Sequence, residues 1–339
     1  MSIATREWQL VRRPHGEPVD EDFRLVSRER PDPEPGEVVV RTIAMSVDPY
    51  MRGRMSATKS YAPSWELGET MQGGAIGQVV ASRSDEIPEG ALVLHGSGWR
   101  DVAVLPASSV AVVEPLHGLP LSLYLGVLGM PGLTAWAGLF RLAAFEAGDA
   151  VFVSGAAGAV GSLVGQFARL RGASRVVGSA GTAEKVDWLR SLGFDAAFDY
   201  HDGAVADLLA AAAPDGIDVF FDNVGGEHLE AAIGAFRTYG RAALCGSIST
   251  YNAVDAPPGP RNLGLIVGKR LSLRGFIVGD HPDLRPEFVS AVSGWLRDGQ
   301  LVARETVVDG LDSAVDAFRA LLSGGNTGKM VVRLAPDPG

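Results

Sequence analysis

The sequence predicts an α/β protein, in which a doubly wound parallel sheet of the Rossmann type accompanies a second, mostly antiparallel β-barrel-like domain. Three observations carry this expectation. Residues 150–171 read AVFVSGAAGAVGSLVGQFARLR: a β-branched and aromatic run, a glycine turn, then apolar residues at helical spacing. From there to residue 278, short apolar runs alternate with helical stretches of about ten residues. Residues 1–120 lack that alternation and offer short β-type runs broken by proline and glycine.

Taken in order, the β-type runs of the first part are 37–43, 73–81, 91–94, 101–105 and 110–113. Gly36, Gly90 and Gly98 with Pro31, Pro33, Pro35 and Pro88 supply the turns. The segment SVDPYMRGRM at 46–55 carries Asp48, Tyr50 and Arg52. It reads equally as a surface turn opened by Asp-Pro and as a functional loop. Residues 123–140 are apolar and rich in small residues, and Pro131 and Gly132 interrupt them. They predict buried helices joining two domains, too broken to span a bilayer.

The alternating half then begins. A strand at 151–153 runs into Ser154-Gly155, and Val160, Leu163, Val164, Phe167 and Leu170 mark the following helix. Further strands are expected at 175–178, 197–200, 217–223, 240–248 and 271–278, with helices at 182–192, 203–213 and 227–236. Six strands separated by helices predict a parallel sheet with ligands at the carboxyl ends of its strands.

Gly155, Gly158 and Gly161 give a G-x-x-G-x-x-G turn between the first strand and its helix. In dinucleotide-binding units such glycines permit the turn, a close backbone approach to pyrophosphate and tight helix packing. An NAD site places a carboxylate at the end of the second strand to accept from the ribose 2′-OH. Here that strand ends in Gly178-Ser179-Ala180-Gly181, with no acid before Glu184, and Lys185 follows. Small residues beside a lysine favour a 2′-phosphate, hence NADP(H). Other strand ends carry Asp222 to Gly226, Cys245 to Asn252 and Phe276 to Val278.

Composition narrows the function. With 46% hydrophobic residues the chain can bury a large core, and no apolar run reaches the ~20 residues of a membrane span. The first residues lack the apolar region of a signal peptide, and one cysteine excludes an internal disulfide framework, so the cytoplasm is expected. A formal charge of −10 argues against a nucleic-acid partner. The histidines (His15, His95, His117, His201, His228, His281) are scattered, none at ligand spacing with another, so no metal is expected. There is no G-x-S-x-G elbow and no Walker-type phosphate loop. The remaining acids are phenols: Tyr251 after the fifth strand and Tyr50 in the first domain. With a pKa near 10, a tyrosine is a donor that can hold a developing enolate oxygen. Tyr251 reads equally as a loop aromatic against the cofactor.

At this point the motifs carry a resemblance. They are VDPYMR at 47–52, LGETMQGGAIGQVV at 67–80, MPGLTAW at 130–136, AAGAVGS at 156–162, EKVDWL at 184–189, FDNVGG at 221–226, CGSISTYN at 245–252, GFIV at 275–278 and GGNTGK at 324–329. With them the chain resembles, end to end, the zinc-independent medium-chain dehydrogenases/reductases of the prostaglandin reductase (leukotriene B4 12-hydroxydehydrogenase) branch. That branch includes plant alkenal double-bond reductases and bacterial curcumin-reductase-like enzymes.

The resemblance implies a GroES-like substrate domain from 1–124 and 300–339, and a Rossmann NADP-binding domain from 125–299. It places the pyrophosphate near Ala156, Ala157, Gly158, Ala159 and Val160. Gly181, Lys185 and Tyr200 fall at the adenosine end. Asn223, Cys245, Gly246, Ser247, Ile248, Ser249, Thr250, Tyr251, Phe276, Ile277, Val278 and Asn326 line the rest of the cofactor site. Tyr251 corresponds to the tyrosine assisting the enone carbonyl, and Tyr50 to a residue of the substrate cleft. The implied reaction is NADPH-dependent reduction of the C=C bond of α,β-unsaturated ketones and aldehydes, with hydride to the β-carbon and a proton to the α-carbon. A homodimer joined through Rossmann edge strands is a further expectation. The loop at 251–262, with Pro257, Pro258 and Pro260, is a candidate cover for the substrate. A quinone oxidoreductase of the same superfamily and a non-catalytic NADPH-binding sensor or scaffold are the alternatives.

Overall fold

The computed structural model describes residues 2–255 and 257–338; Ala256, within the proline-rich loop, and the terminal Met1 and Gly339 lie outside the described residues. The chain divides into two compact units. One comprises Met1–Leu125, Glu305–Asn326 and Met330–Gly339; the other comprises Gly126–Arg304 and Thr327–Lys329.

The first unit opens with β1 (Ser2–Leu10), β2 (Phe23–Pro31), β3 (Glu37–Ser46), the short helix α1 (Met51–Arg54), β4 (Ala75–Ser82), β5 (Leu92–His95), β6 (Val102–Pro106) and β7 (Ala111–Val112). β1 and β2 form an antiparallel pair that the β-type runs of the sequence do not announce. Their alternation is hidden because β1 turns polar residues inward: Thr5, Glu7 and Gln9 are all buried. Glu7 is fully enclosed and satisfied by Arg30 of β2, Nη2 to Oε2 at 2.8 Å. β3 is the central strand, pairing antiparallel with β4 and β6.

The second unit begins with α2 (Met130–Trp136), prolonged by a π-helical stretch over Ala137–Leu142. There follow β8 (Ala150–Val153), α3 (Gly161–Leu170), β9 (Arg175–Ala180), α4 (Ala183–Ser191), β10 (Ala196–Asp199), α5 (Val205–Ala212), β11 (Ile217–Asp222), α6 (Gly226–Ala235), β12 (Phe236–Leu244), α7 (Gly264–Lys269), β13 (Ser272–Gly275) and α8 (Arg285–Arg297). The six strands lie in the order β10-β9-β8-β11-β12-β13, all parallel. This is the doubly wound order, reversing direction between β8 and β11, where such sheets take ligands. β8 reads as an unbroken apolar run because all four residues are buried between helix layers. Phe152 stacks on Phe220 at 5.0 Å in one layer; Trp136 meets Phe167 at 5.8 Å and Phe288 at 6.2 Å in the other.

The structure redraws two strands: the sixth, expected over 271–278, spans only Ser272–Gly275 and gives way to a 3₁₀ turn at Val278–Asp280. The fifth strand starts at Phe236, not at Gly240, and stops at Leu244. A register shift between Ile217 and Val219 of β11, with Tyr239 at φ +68°, inserts an irregularity into the β11–β12 pairing. That irregularity looks like a helix-to-strand break in the sequence. Residues 248–250 form a 3₁₀ turn instead of continuing the strand.

The chain then returns through β14 (Glu305–Asp309), α9 (Ala314–Leu322) and β15 (Lys329–Arg333). β15 pairs antiparallel with β3, Val331 opposite Ser46. The larger sheet of the first unit therefore runs β14-β15-β3-β4-β5-β7, with β6 on β3. α9 buries Val315, Phe318 and Leu321, and the Phe318 ring meets Trp99 edge-on at 6.0 Å.

Candidate active site

The turn after β8 is built for close approach. Gly155 adopts φ +57°, a conformation that L side chains resist. A β-carbon at Gly161 would stand 2.6 Å from the Gly155 carbonyl oxygen and 2.7 Å from the Ala156 α-carbon. Only glycine lets α3 begin directly behind its own turn. The N–H of Ala156 donates to the Ser179 carbonyl at 2.8 Å, tying the turn to β9. Ala156 and Ala157 are buried, and Gly158, Ala159 and Val160 are half-buried at the start of α3. The arrangement offers a helix N-terminus of ten residues to an anion.

At the neighbouring strand ends the structure brings Gly181 and Tyr200 together, with Lys185 in the first turn of α4. Thr182 caps α4, its side chain accepting from the Lys185 N–H at 3.3 Å. The Lys185 side chain is half-buried; desolvation lowers the pKa of its ammonium, with Glu184 opposing. The Tyr200 N–H donates to the Ala180 carbonyl at 3.0 Å. Its hydroxyl lies 3.0 Å from the place a β-carbon on Gly181 would take. β9 ends in Ser179, Ala180 and Gly181, without the carboxylate that would select a ribose 2′-OH. A half-buried ammonium and a phenol beside small residues fit a 2′-phosphate.

Asp222 organises the ends of β8, β11 and β12. Its Oδ1 accepts from Ser154 Oγ at 2.8 Å, from the Val224 N–H at 3.0 Å and from the Gly225 N–H at 2.9 Å. Its carbonyl takes the N–H groups of Cys245 at 2.8 Å and Gly246 at 3.1 Å. Burial raises the Asp222 pKa, and the three donors to its carboxylate work the other way. Asn223 completes the knot: its N–H donates to Ser154 Oγ at 2.9 Å and its Nδ2 to the Ser154 carbonyl at 2.8 Å. The sequence places Asp222 at a strand end but does not reveal this role. The available signal was an acid closing the buried run IDVFFD just before paired glycines.

The segment from Cys245 to Tyr251 lies along Asn223 and Val224. Ile248 N–H donates to the Asn223 carbonyl at 3.2 Å, and Ser249 Oγ to the Val224 carbonyl at 2.6 Å. Thr250 Oγ1 donates to the Ser247 carbonyl at 2.9 Å. Burial, with Asp222 nearby, pushes the Cys245 thiol up to about 12, so it is no nucleophile at neutral pH. The Tyr251 hydroxyl lies over Gly246, 3.1 Å from its would-be β-carbon. Desolvation raises its pKa; the backbone of Ser247 opposes this, while Cys245 and Asp222 add to it. Tyr251 is therefore a protonated donor at neutral pH. Phe276, Ile277 and Val278 follow β13 half-buried, the Phe276 ring edge-on to Phe221 at 6.3 Å.

Tyr50 and Asn326 belong to the first unit. Asn326 is buried. Tyr50 precedes α1 and is half-buried; burial and then Asp48 raise its pKa, so it too is a donor. Among the described residues, no group of three or more His, Cys, Asp or Glu is placed to hold a metal ion.

A doubly wound parallel sheet with a glycine turn after its first strand is the frame of dinucleotide-dependent oxidoreductases. Comparison with known proteins agrees. Residues 6–113 match the family described as the N-terminal domain of oxidoreductase, and 159–294 the family described as zinc-binding dehydrogenase. The chain is 41% identical to the NADPH-dependent curcumin reductase of Escherichia coli, over 98% of this chain and 97% of that one. It is 42% identical to the 2-alkenal reductase (NADP(+)-dependent) of Nicotiana tabacum, over 89% and 88%. The structure of CurA in complex with NADPH from Vibrio vulnificus superposes with a TM-score of 0.91 at 40% identity, covering 98% of this chain and all of that one. The chain belongs to the zinc-independent medium-chain dehydrogenase/reductase family of the prostaglandin reductase and alkenal reductase branch.

Proposed function

We propose that this protein reduces the C=C bond of α,β-unsaturated ketones and aldehydes with NADPH. The observation that carries the reading is the chemistry of the β9 and β12 ends: a lysine-bearing, carboxylate-free adenosine corner on the sheet that also holds Tyr251.

The turn from Ala156 to Val160 would hold the pyrophosphate, and Gly181, Lys185 and Tyr200 the adenosine 2′-phosphate. Asn223, the 245–251 segment and Phe276 to Val278 would line the nicotinamide end. When bound, NADPH supplies a hydride for the β-carbon of a conjugated acceptor. Tyr251, kept protonated, donates a hydrogen bond to the carbonyl oxygen and stabilises the charge that gathers there. Tyr50, a phenolic donor of the antiparallel unit, is a substrate-contacting residue in this reading. In this reading Gly126–Arg304 is the NADP-binding domain and the antiparallel unit the substrate domain.

Small conjugated carbonyl compounds are the substrates, the assembly is a homodimer and the site of action is the cytoplasm, where a free thiol such as Cys245 stays reduced. No helix among the described residues is long and apolar enough to cross a membrane.

The test is nicotinamide absorbance with purified protein and a panel of a 2-alkenal, a phenyl butenone, an allylic alcohol and a quinone. Consumption of NADPH in preference to NADH with the enone, giving the saturated ketone, is the expected result. Consumption with the quinone alone would overturn the reading, as would tight NADPH binding without turnover of any conjugated carbonyl.

A further inference from the structure

The glycine turn after β8 is gripped by a part of the chain that arrives much later in the sequence. Gly158 and Gly328 run side by side as an isolated parallel bridge, and the Gly328 N–H donates to the Ala157 carbonyl at 2.8 Å. The other end of that peptide is fixed within the turn, the Gly158 N–H donating to the Gly155 carbonyl at 3.1 Å. A peptide is planar, so bonds at both its oxygen and its nitrogen leave it little rotation. Position 328 favours glycine on two counts: φ is +70°, and a β-carbon there would stand 2.0 Å from the Arg304 carbonyl oxygen. The Lys329 N–H donates to that same oxygen at 3.0 Å, so residues 328–329 lie along Arg304. The chain just before Arg304 is clamped in turn by Gln166 of α3, a buried side chain. Gln166 Oε1 accepts from the Val302 N–H at 2.8 Å, and its Nε2 donates to the Val302 carbonyl at 3.0 Å and to the Ser162 carbonyl at 3.0 Å. The two Val302 groups accept the amide in one orientation.

These bonds leave α3 at Gln166, pass through Val302, Arg304 and Gly328, and return at Ala157 to the turn in front of the same helix. We propose that Gln166 and Gly328 are positioning residues for NADP(H), which fix the Ala157–Gly158 peptide before the cofactor arrives. Both act through that peptide and neither is a contact of the cofactor. This rests on the reading of the turn as the pyrophosphate site. A turn ordered in advance spares binding the cost of ordering it, and a loosened turn restores that cost as lost affinity. The corner formed by Gly181, Lys185 and Tyr200 stands on β9, α4 and β10, outside this route. Arg304 does reach toward α4, its Nη2 3.8 Å from Glu184 Oε1 and its guanidinium 5.5 Å from the Trp188 ring centre. Those are exposed contacts of little energy, and a change at Gln166 leaves both side chains in place.

The test compares the full-length wild type with Gln166→Leu, which keeps the volume and loses all three bonds. Gly328→Ala is the more direct change, but its β-carbon would force the backbone apart. Hydrogen exchange in the cofactor-free protein should quicken about tenfold over residues 155–161 in Gln166→Leu and stay unchanged over β3. Calorimetric titration with NADP⁺ should give a Kd raised about tenfold, the range expected for a lost buried hydrogen bond. Adenosine 2′-phosphate carries the adenosine end and no pyrophosphate, so its Kd should stay within about twofold. Gln166→Glu keeps the acceptor for the Val302 N–H; it should fall between, and it takes the place of the leucine variant if that one does not fold. Unchanged exchange in the turn, or unchanged NADP⁺ affinity, would overturn the inference. So would an equal loss for both ligands, which marks a general loosening of the unit. A wild type that binds neither ligand would overturn the cofactor-site reading alone, since exchange over 155–161 still decides whether Gln166 holds the turn.

Discussion

Tyr251 shows how one side chain acquires its role from its surroundings. Its hydroxyl rests on Gly246 while burial, Cys245 and Asp222 hold its proton in place. It therefore acts as a hydrogen-bond donor across the neutral range. Replacing it with phenylalanine should lower kcat for an enone by about a hundredfold, the usual cost of removing one donor to a developing oxyanion. NADPH affinity, read by fluorescence titration, should stay within about twofold, because the packing of the ring survives. Tyr251 is proposed from its position, after a strand at the ligand edge of the sheet. Asp222 was not readable in the same way. Its importance lies in bonds to Ser154, Val224 and Gly225, and the partner on β8 is 68 residues away in sequence.

Among the elements, β13 bears on assembly. It is one edge of the parallel sheet, hydrogen-bonded through β12 alone. Exposed apolar side chains lie on the preceding segment, with Val267 at 81% and Leu263 at 52% exposure. An open edge flanked by such residues invites another strand. In the proposed homodimer a second copy, related by a two-fold axis, would occupy it. Sedimentation equilibrium should give twice the chain mass, and Val267→Asp with Ser272→Pro should shift the protein to monomer. A monomeric wild type would sink the dimer. The βαβ elements were legible because parallel strands buried on both faces give continuous apolar runs. β1 and β2 were not, because Glu7 and Gln9 point inward and break the expected alternation.

For the whole molecule, the two units share a sensitivity to acid. His95 in the first and His228 in the second are buried, and each is held down to about 4. Desolvation is the main cause for both, with Arg100 adding to it for His95. An unfolded chain protonates histidine near pH 6.5, so below that value it binds protons that the folded chain refuses. Stability is therefore lost as pH falls from about 6.5 to about 4, by as much as about 3 kcal/mol per histidine. Asp222, with its raised pKa, works in the opposite sense. Thermal unfolding at pH 7 and pH 4.5 should show a clear drop in midpoint, smaller in His228→Phe. A midpoint that ignores pH over this range would contradict the assignment of both histidines as buried and neutral.

The sequence by itself determined the Rossmann sheet, the glycine turn and the NADP(H) cofactor. Each of these rests on local pattern: periodicity of burial, spacing of glycines, and the residue that ends a strand. Only the tertiary structure decided which polar groups meet. The Asp222 knot, the Glu7–Arg30 pair inside β1 and β2, and the clamp of Gln166 on Val302 join residues from different elements. Hydrogen bonds and buried charges are short-range and directional, so they are fixed by the fold's three-dimensional contacts and leave little trace in the order of residues.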